Sequence, residues 1–119
     1  MEIHIIGNGV AVDGAVEAYV RRRIGFALGR FASRVGRVYA TLINQNGPKG
    51  GRNMICRIRV RLSGHPTVVV EHVDTDLRAA IDCSASRTGR TVARRLDRAL
   101  TSQRDVRVGE ATRNQPGTT

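Results

Sequence analysis

Arg87, Arg90, Arg94 and Arg98 recur at steps of three, four and four residues, the spacing that gathers side chains on one face of an α-helix. Each guanidinium is a planar fork that meets phosphate oxygens two at a time. Arg95 joins the same candidate set, and no acidic residue interrupts the run between Asp82 and Asp97. Leu77, Ile81, Ala85, Thr88, Val92, Leu96 and Ala99 fall on the opposite side of this 76–100 stretch. One face can therefore lie on a core while the other presents cations to a partner. A plain solvated helix face gives the same pattern, so the rest of the chain has to decide.

A second basic group follows a different period. Arg57, Arg59 and Arg61 alternate with Met54, Cys56, Ile58, Val60 and Leu62, a strict period of two that makes a strand with one buried and one cationic face. Such charges also discourage edge-to-edge pairing, which is their purely structural explanation. Arg22 and Arg23 on a first helix and Lys49 in a glycine-rich loop complete the set of candidate phosphate-binding residues.

The 119-residue chain carries a net charge of +10, and Lys49 is its only lysine. Between Glu17 and Glu71 there is no acidic residue at all. Such one-signed density costs stability through self-repulsion, which a polyanionic partner would offset. A nucleic acid is the leading partner and an anionic membrane surface the second. Tyr19, Phe26, Phe31 and Tyr39 are the only aromatic residues, and three of them are expected in the core. Phosphate contact and groove shape are thus favoured over stacking on unpaired bases.

Several chemistries find no support. Cys56 and Cys83 form no C-x-x-C pair, and His4, His65 and His72 have no metal-ligand spacing. No Ser-His-Asp or paired-carboxylate pattern emerges, so the chain is expected to be neither an enzyme nor the carrier of a cofactor or small-molecule substrate. The Asn44–Gly51 stretch lacks the G-K-S/T ending of a nucleotide-binding P-loop. With no basic leader ahead of an apolar segment and no membrane-length apolar run, a cytoplasmic protein with reduced thiols is expected.

The elements that position these residues read as follows. A strand spans 2–6, and Gly7, Asn8 and Gly9 break it. Asp13 caps a helix over 14–32, whose apolar stripe is Val16, Val20, Ile24, Ala27 and Phe31. Strands over 35–43, 53–62 and 67–73 come next, and Asp74 or Thr75 is expected to cap the second helix. From Thr101 the sequence turns polar, and 113–119 is expected to be disordered. The order β-α-β-β-β-α implies an α+β two-layer sandwich, with a four-stranded sheet of antiparallel hairpins and two helices on one face. Residues 1–102 are the expected domain and 103–119 a flexible polar tail.

Over about the first hundred residues the chain resembles the ribosome hibernation-promoting factor family, also called ribosome-associated inhibitor or sigma-54 modulation proteins. The opening Ile3 to Val10 is similar to the family's first strand and turn. Ala15, Val16, Tyr19, Val20, Arg23 and Phe31 fit its first helix, and Val38, Tyr39 and Leu42 its second strand. The segment Asp76-Leu77-Arg78-Ala79-Ala80-Ile81-Asp82 resembles the family's D-x-Y-A-A-I-D, with Arg78 in place of the tyrosine. Arg87, Arg90, Arg94 and Arg98 fall where the family carries lysine or arginine.

The resemblance implies a short-form ribosome-binding hibernation factor. Such a protein occupies the decoding channel of the small ribosomal subunit and inhibits translation in stationary phase or stress. The chain is expected to be a monomer off the ribosome. A general double-stranded RNA-binding protein is the alternative, because three strands followed by a helix resemble that topology. An enzyme of unknown activity ranks third.

Overall fold

In this computed structural model the backbone of residues 1–46 and 52–112 is described, with the side chains of 1–45 and 53–98. Lys49, most of its loop and the 113–119 terminus lie outside the described residues. Two compact units divide the chain, Met1–Gly89 and Arg90–Thr119.

The first unit is built on alternation. β3 (Arg52–Leu62) buries Met54, Cys56, Ile58, Val60 and Leu62, while Arg59 and Arg61 stand exposed between them. On β2 (Val35–Asn46), Val38, Ala40 and Leu42 are the buried partners, paired with Val60, Ile58 and Cys56. β4 (Val68–Asp74) runs antiparallel to β3 and adds Val68 and Val70 to that inner face. Val35 is buried as well, out of step with Val38, because the β2–β3 register shifts between them. An extra residue in one strand turns the following side chains over, and that lets both valines point inward.

The sheet order is β1-β2-β3-β4. β1 (Glu2–Asn8) pairs with β2 in parallel, not as an antiparallel hairpin. The intervening helix explains the difference: a chain that crosses over the sheet through a helix returns at the end where it started. The sheet is therefore mixed.

α1 (Gly14–Leu28) starts at Asp13, whose Oδ1 accepts from the Val16 amide at 2.9 Å. It buries Val20, Ile24 and Leu28, then tightens into a 3-10 turn over Gly29–Phe31, so the α-helix proper is shorter than expected. Val16, Ala27 and Phe31, expected in its stripe, are half-buried.

α2 (Leu77–Thr112) is capped by Asp76, whose Oδ2 accepts from the Ala79 amide at 3.0 Å. Neither Asp74 nor Thr75 takes that role; Asp74 instead accepts from the Asp76 amide and so steadies the cap. Ile81, Ser84, Ala85 and Thr88 are buried, and the Ser84 hydroxyl donates to the Cys56 carbonyl at 3.0 Å. Ile24, Ala27 and Leu28 of α1 share a small space with Ile58 of β3 and Ala85 and Thr88 of α2. Within the first unit α1 and the start of α2 thus cover one face of the sheet, as expected. Helical backbone continues to Thr112, past the expected end near Leu100. No proline stands between Pro66 and Pro116 to stop it. No described helix is long and apolar enough to cross a membrane.

Candidate nucleic-acid interface

Covering one face of the sheet leaves the other open, and the register shows what stands there. One row crosses all four strands as His4, Tyr39, Arg59 and Val69. The next runs Ile6, Thr41, Arg57 and Glu71, and a third runs Asn8, Ile43, Ile55 and Val73. Ile55 is 8% exposed although it faces outward, because Ile43 and Val73 flank it. Ile6, Val69 and Val73 are about half exposed.

Acidic residues sort the arginines of this face. Glu71 Oε2 receives Arg57 Nε at 2.8 Å and Nη2 at 2.7 Å. Glu2 takes Arg37 Nε at 3.1 Å. The Tyr39 hydroxyl and then Glu2 hold the Arg37 guanidinium above its ordinary pKa. Arg59 and Arg61 are exposed, and neither meets a carboxylate among the described residues. Among the described side chains these two carry the uncompensated charge of the sheet.

On the helix side of the same unit the candidates are more occupied. Arg23 Nε lies 2.9 Å from Asp82 Oδ1 but off the line of a good hydrogen bond, so the contact is an ion pair. The Tyr19 hydroxyl donates to that oxygen at 2.6 Å. This bond first, then burial and the Asp82 charge, raises the Tyr19 pKa. Arg78 lies over the Tyr19 ring at 4.7 Å and Arg22 at 5.5 Å. Arg78, standing where the resembling family has tyrosine, therefore becomes one side of a cation–π contact. Arg87 is exposed and donates from Nη1 to the Glu71 carbonyl at 3.2 Å. Arg57 and Arg87 thus converge on one residue, Arg57 at its carboxylate and Arg87 at its main chain.

In the second unit Arg90, Arg94 and Arg98 are exposed on α2, Arg95 is half-buried and Val92 is fully buried. The expected polarity of this segment holds. The division at Gly89 places Arg87 with the sheet and the other three with the second unit.

Two expectations change. No aromatic residue is fully buried: Phe26 is 83% exposed, and Tyr19, Phe31 and Tyr39 are half-buried. His4 and Tyr39 form a stacked pair on the open face, with ring centroids 5.3 Å apart and planes 19° from parallel. Alternation signalled it, since Tyr39 lies between the inward-facing Val38 and Ala40. Arg30, over the Phe31 ring at 4.7 Å, was also outside the candidate set. Among the described residues no group of three or more His, Cys, Asp or Glu side chains could hold a metal ion.

A mixed four-stranded sheet with helices on one side, and outward guanidiniums that meet no carboxylate among the described residues, define a basic α+β protein. The chain belongs to the sigma 54 modulation protein / S30EA ribosomal protein family, whose profile matches residues 3–100. It is similar to the N-terminal domain of Protein Y from Thermus thermophilus, with 28% identity and a TM-score of 0.62 over 79% of this chain and 98% of that one. It also shares its fold with a ribosomal subunit interface protein from Coxiella burnetii, with 15% identity and a TM-score of 0.66 over 82% of this chain and 99% of that one. No curated protein matches the chain.

Proposed function

We infer that the chain is a cytoplasmic ribosome-hibernation factor that occupies the decoding channel of the small subunit and inhibits translation by filling it. The observation that carries this is the family match over residues 3–100, joined to guanidiniums that meet no carboxylate among the described residues. Arg59 and Arg61 supply them on the sheet, and exposed Arg94 and Arg98 on α2. Arginine forks fit ribosomal RNA phosphates, and the buried core supplies a body that does not yield to messenger or transfer RNA. The mechanism uses no cofactor and no bond is made or broken. Residues 1–102 carry the binding, 103–119 form an accessory tail, and the protein is a monomer when free. Stress and stationary phase are the conditions in which such occlusion is useful.

Co-sedimentation with purified small subunits over a salt series tests the reading. If about six to ten phosphates are neutralised, affinity falls by roughly 10³ to 10⁵ between low and moderate salt. Arg94→Glu with Arg98→Glu exchanges attraction for repulsion and releases both binding and the block in cell-free translation. Equal affinity for generic duplex RNA would instead identify a general double-stranded RNA binder.

A further inference from the structure

The open face of the sheet carries more than charge. His4 and Tyr39 sit opposite each other on adjacent parallel strands, and their rings stack on the side away from both helices. Across the next ladder Tyr39 pairs with Arg59. Beyond Arg59 lies Val69, 56% exposed, and Ile6 flanks His4 along its own strand at 49%. A stacked ring pair, with His4 exposed and Tyr39 half-buried, bordered by exposed apolar side chains and by Arg59, leaves apolar area facing water. It is also the composition of a surface that takes flat, apolar-faced, phosphate-linked units.

We propose that this face binds an unpaired nucleotide strand, with a base stacked on the His4–Tyr39 pair and flanking phosphates held by Arg59 and Arg61. The inference rests on the ribosome-binding reading above and names the form of nucleic acid that the sheet takes. Charge selects a polyanion: Glu2 and Glu71, the acidic residues of this face, are each engaged by an arginine, whereas Arg59 and Arg61 are not. The rings then select single strands, because bases within a duplex have no free face to offer. Strands lie about 4.8 Å apart, so the row from His4 to Val69 spans roughly 14 Å. A four-stranded sheet with outward aromatics accommodates two or three bases in this way. Arg37, tied to Glu2 at 3.1 Å, is not among the guanidiniums left for phosphate.

The test is fluorescence anisotropy of the full chain with a short labelled oligouridylate and with a duplex RNA of equal length. His4→Ala and Tyr39→Ala are each expected to weaken single-strand binding by about five-fold or more, the loss set by one base–ring contact. Duplex affinity stays within two-fold (about the precision of such a titration), because phosphate contacts do not use the rings. Tyr39→Phe retains the wild-type affinity, and Arg59→Glu with Arg61→Glu removes binding of both probes. Should Tyr39→Ala fail to fold, the exposed His4→Ala together with Tyr39→Phe decides the same question. The proposal is overturned if the ring variants bind oligouridylate as the wild type does, or lose single strand and duplex equally. It is also overturned if they change only self-association in sedimentation equilibrium, which would make the face a contact between copies. Small-subunit co-sedimentation by the same variants keeps the two readings apart. Retained subunit binding with no strand preference ends this inference alone, and strand binding without subunit binding ends the functional reading alone.

Discussion

Gly89 on α2 lies against the main chain of Ala27 on α1, so that a Cβ at Gly89 would stand 3.0 Å from the Ala27 carbonyl oxygen and 3.3 Å from its Cβ. Alanine in a helix interior is ordinarily worth about 1 kcal/mol over glycine. Here the gain is offset by a contact that one helix can relieve only by moving from the other. Gly25 on α1 faces open space. Thermal melts are therefore expected to separate two identical changes: Gly25→Ala raises the midpoint, and Gly89→Ala leaves it unchanged or lowers it. A clear gain from Gly89→Ala would show that the helices are not held at this distance.

Asp82 joins the helices through Tyr19 and Arg23. Asp82→Ala removes the acceptor of one hydroxyl and the counter-charge of a guanidinium that is one-third exposed. The expected loss is about 1 to 3 kcal/mol, and Tyr19→Phe costs about 1 kcal/mol. Urea titrations of both single variants and the double variant check this. Tyr19→Phe should cost markedly less once Asp82 is alanine, and strict additivity would exclude the coupling.

Burial pushes the Cys56 thiol up from its ordinary 9.0 to about 11, and the hydrogen bond with Ser84 opposes the shift only in part. In the folded chain the neutral thiol therefore persists over a range where the unfolded chain has already lost its proton. Stability from this group is complete below about pH 9 and is lost as pH rises towards about 11, by about 2 to 3 kcal/mol. The raised Tyr19 pKa acts in the same alkaline direction. Denaturant titrations across this range should show a fall that is shallower in Cys56→Ala. Identical slopes in the two proteins would remove Cys56 as its source.

Phe26 contributes little to folding. At 83% exposure it has almost no apolar area to lose, so Phe26→Ser is expected to change stability by no more than about 0.5 kcal/mol. A chemical denaturation curve displaced beyond that would mean that the ring packs against the protein in solution.

Residue order alone determined the parts that depend on local period. Met54 to Leu62 alternate, and a strand sends alternate residues to opposite faces wherever it lies, so the buried row and the outward Arg59 and Arg61 could be read directly. The same holds for Asp13, which sits a fixed three residues before the amide it caps. The ridge on α2 was legible because helical spacing puts Arg90, Arg94 and Arg98 on the side away from Val92.

Tertiary structure decided everything that depends on which distant residues meet. Parallel pairing of β1 with β2 follows from the path of α1 over the sheet, and no period within either strand encodes it. Asp76 prevails over Asp74 and Thr75 as the cap because the helix begins where the turn after β4 releases the chain. Glu71 neutralises Arg57 and leaves Arg59 free because the β3–β4 register puts the first pair opposite and gives Arg59 a valine. His4 and Tyr39 become a stacked pair only when that parallel ladder forms. Charge and periodicity belong to the chain, whereas compensation of charge and pairing of rings belong to the contacts that folding creates.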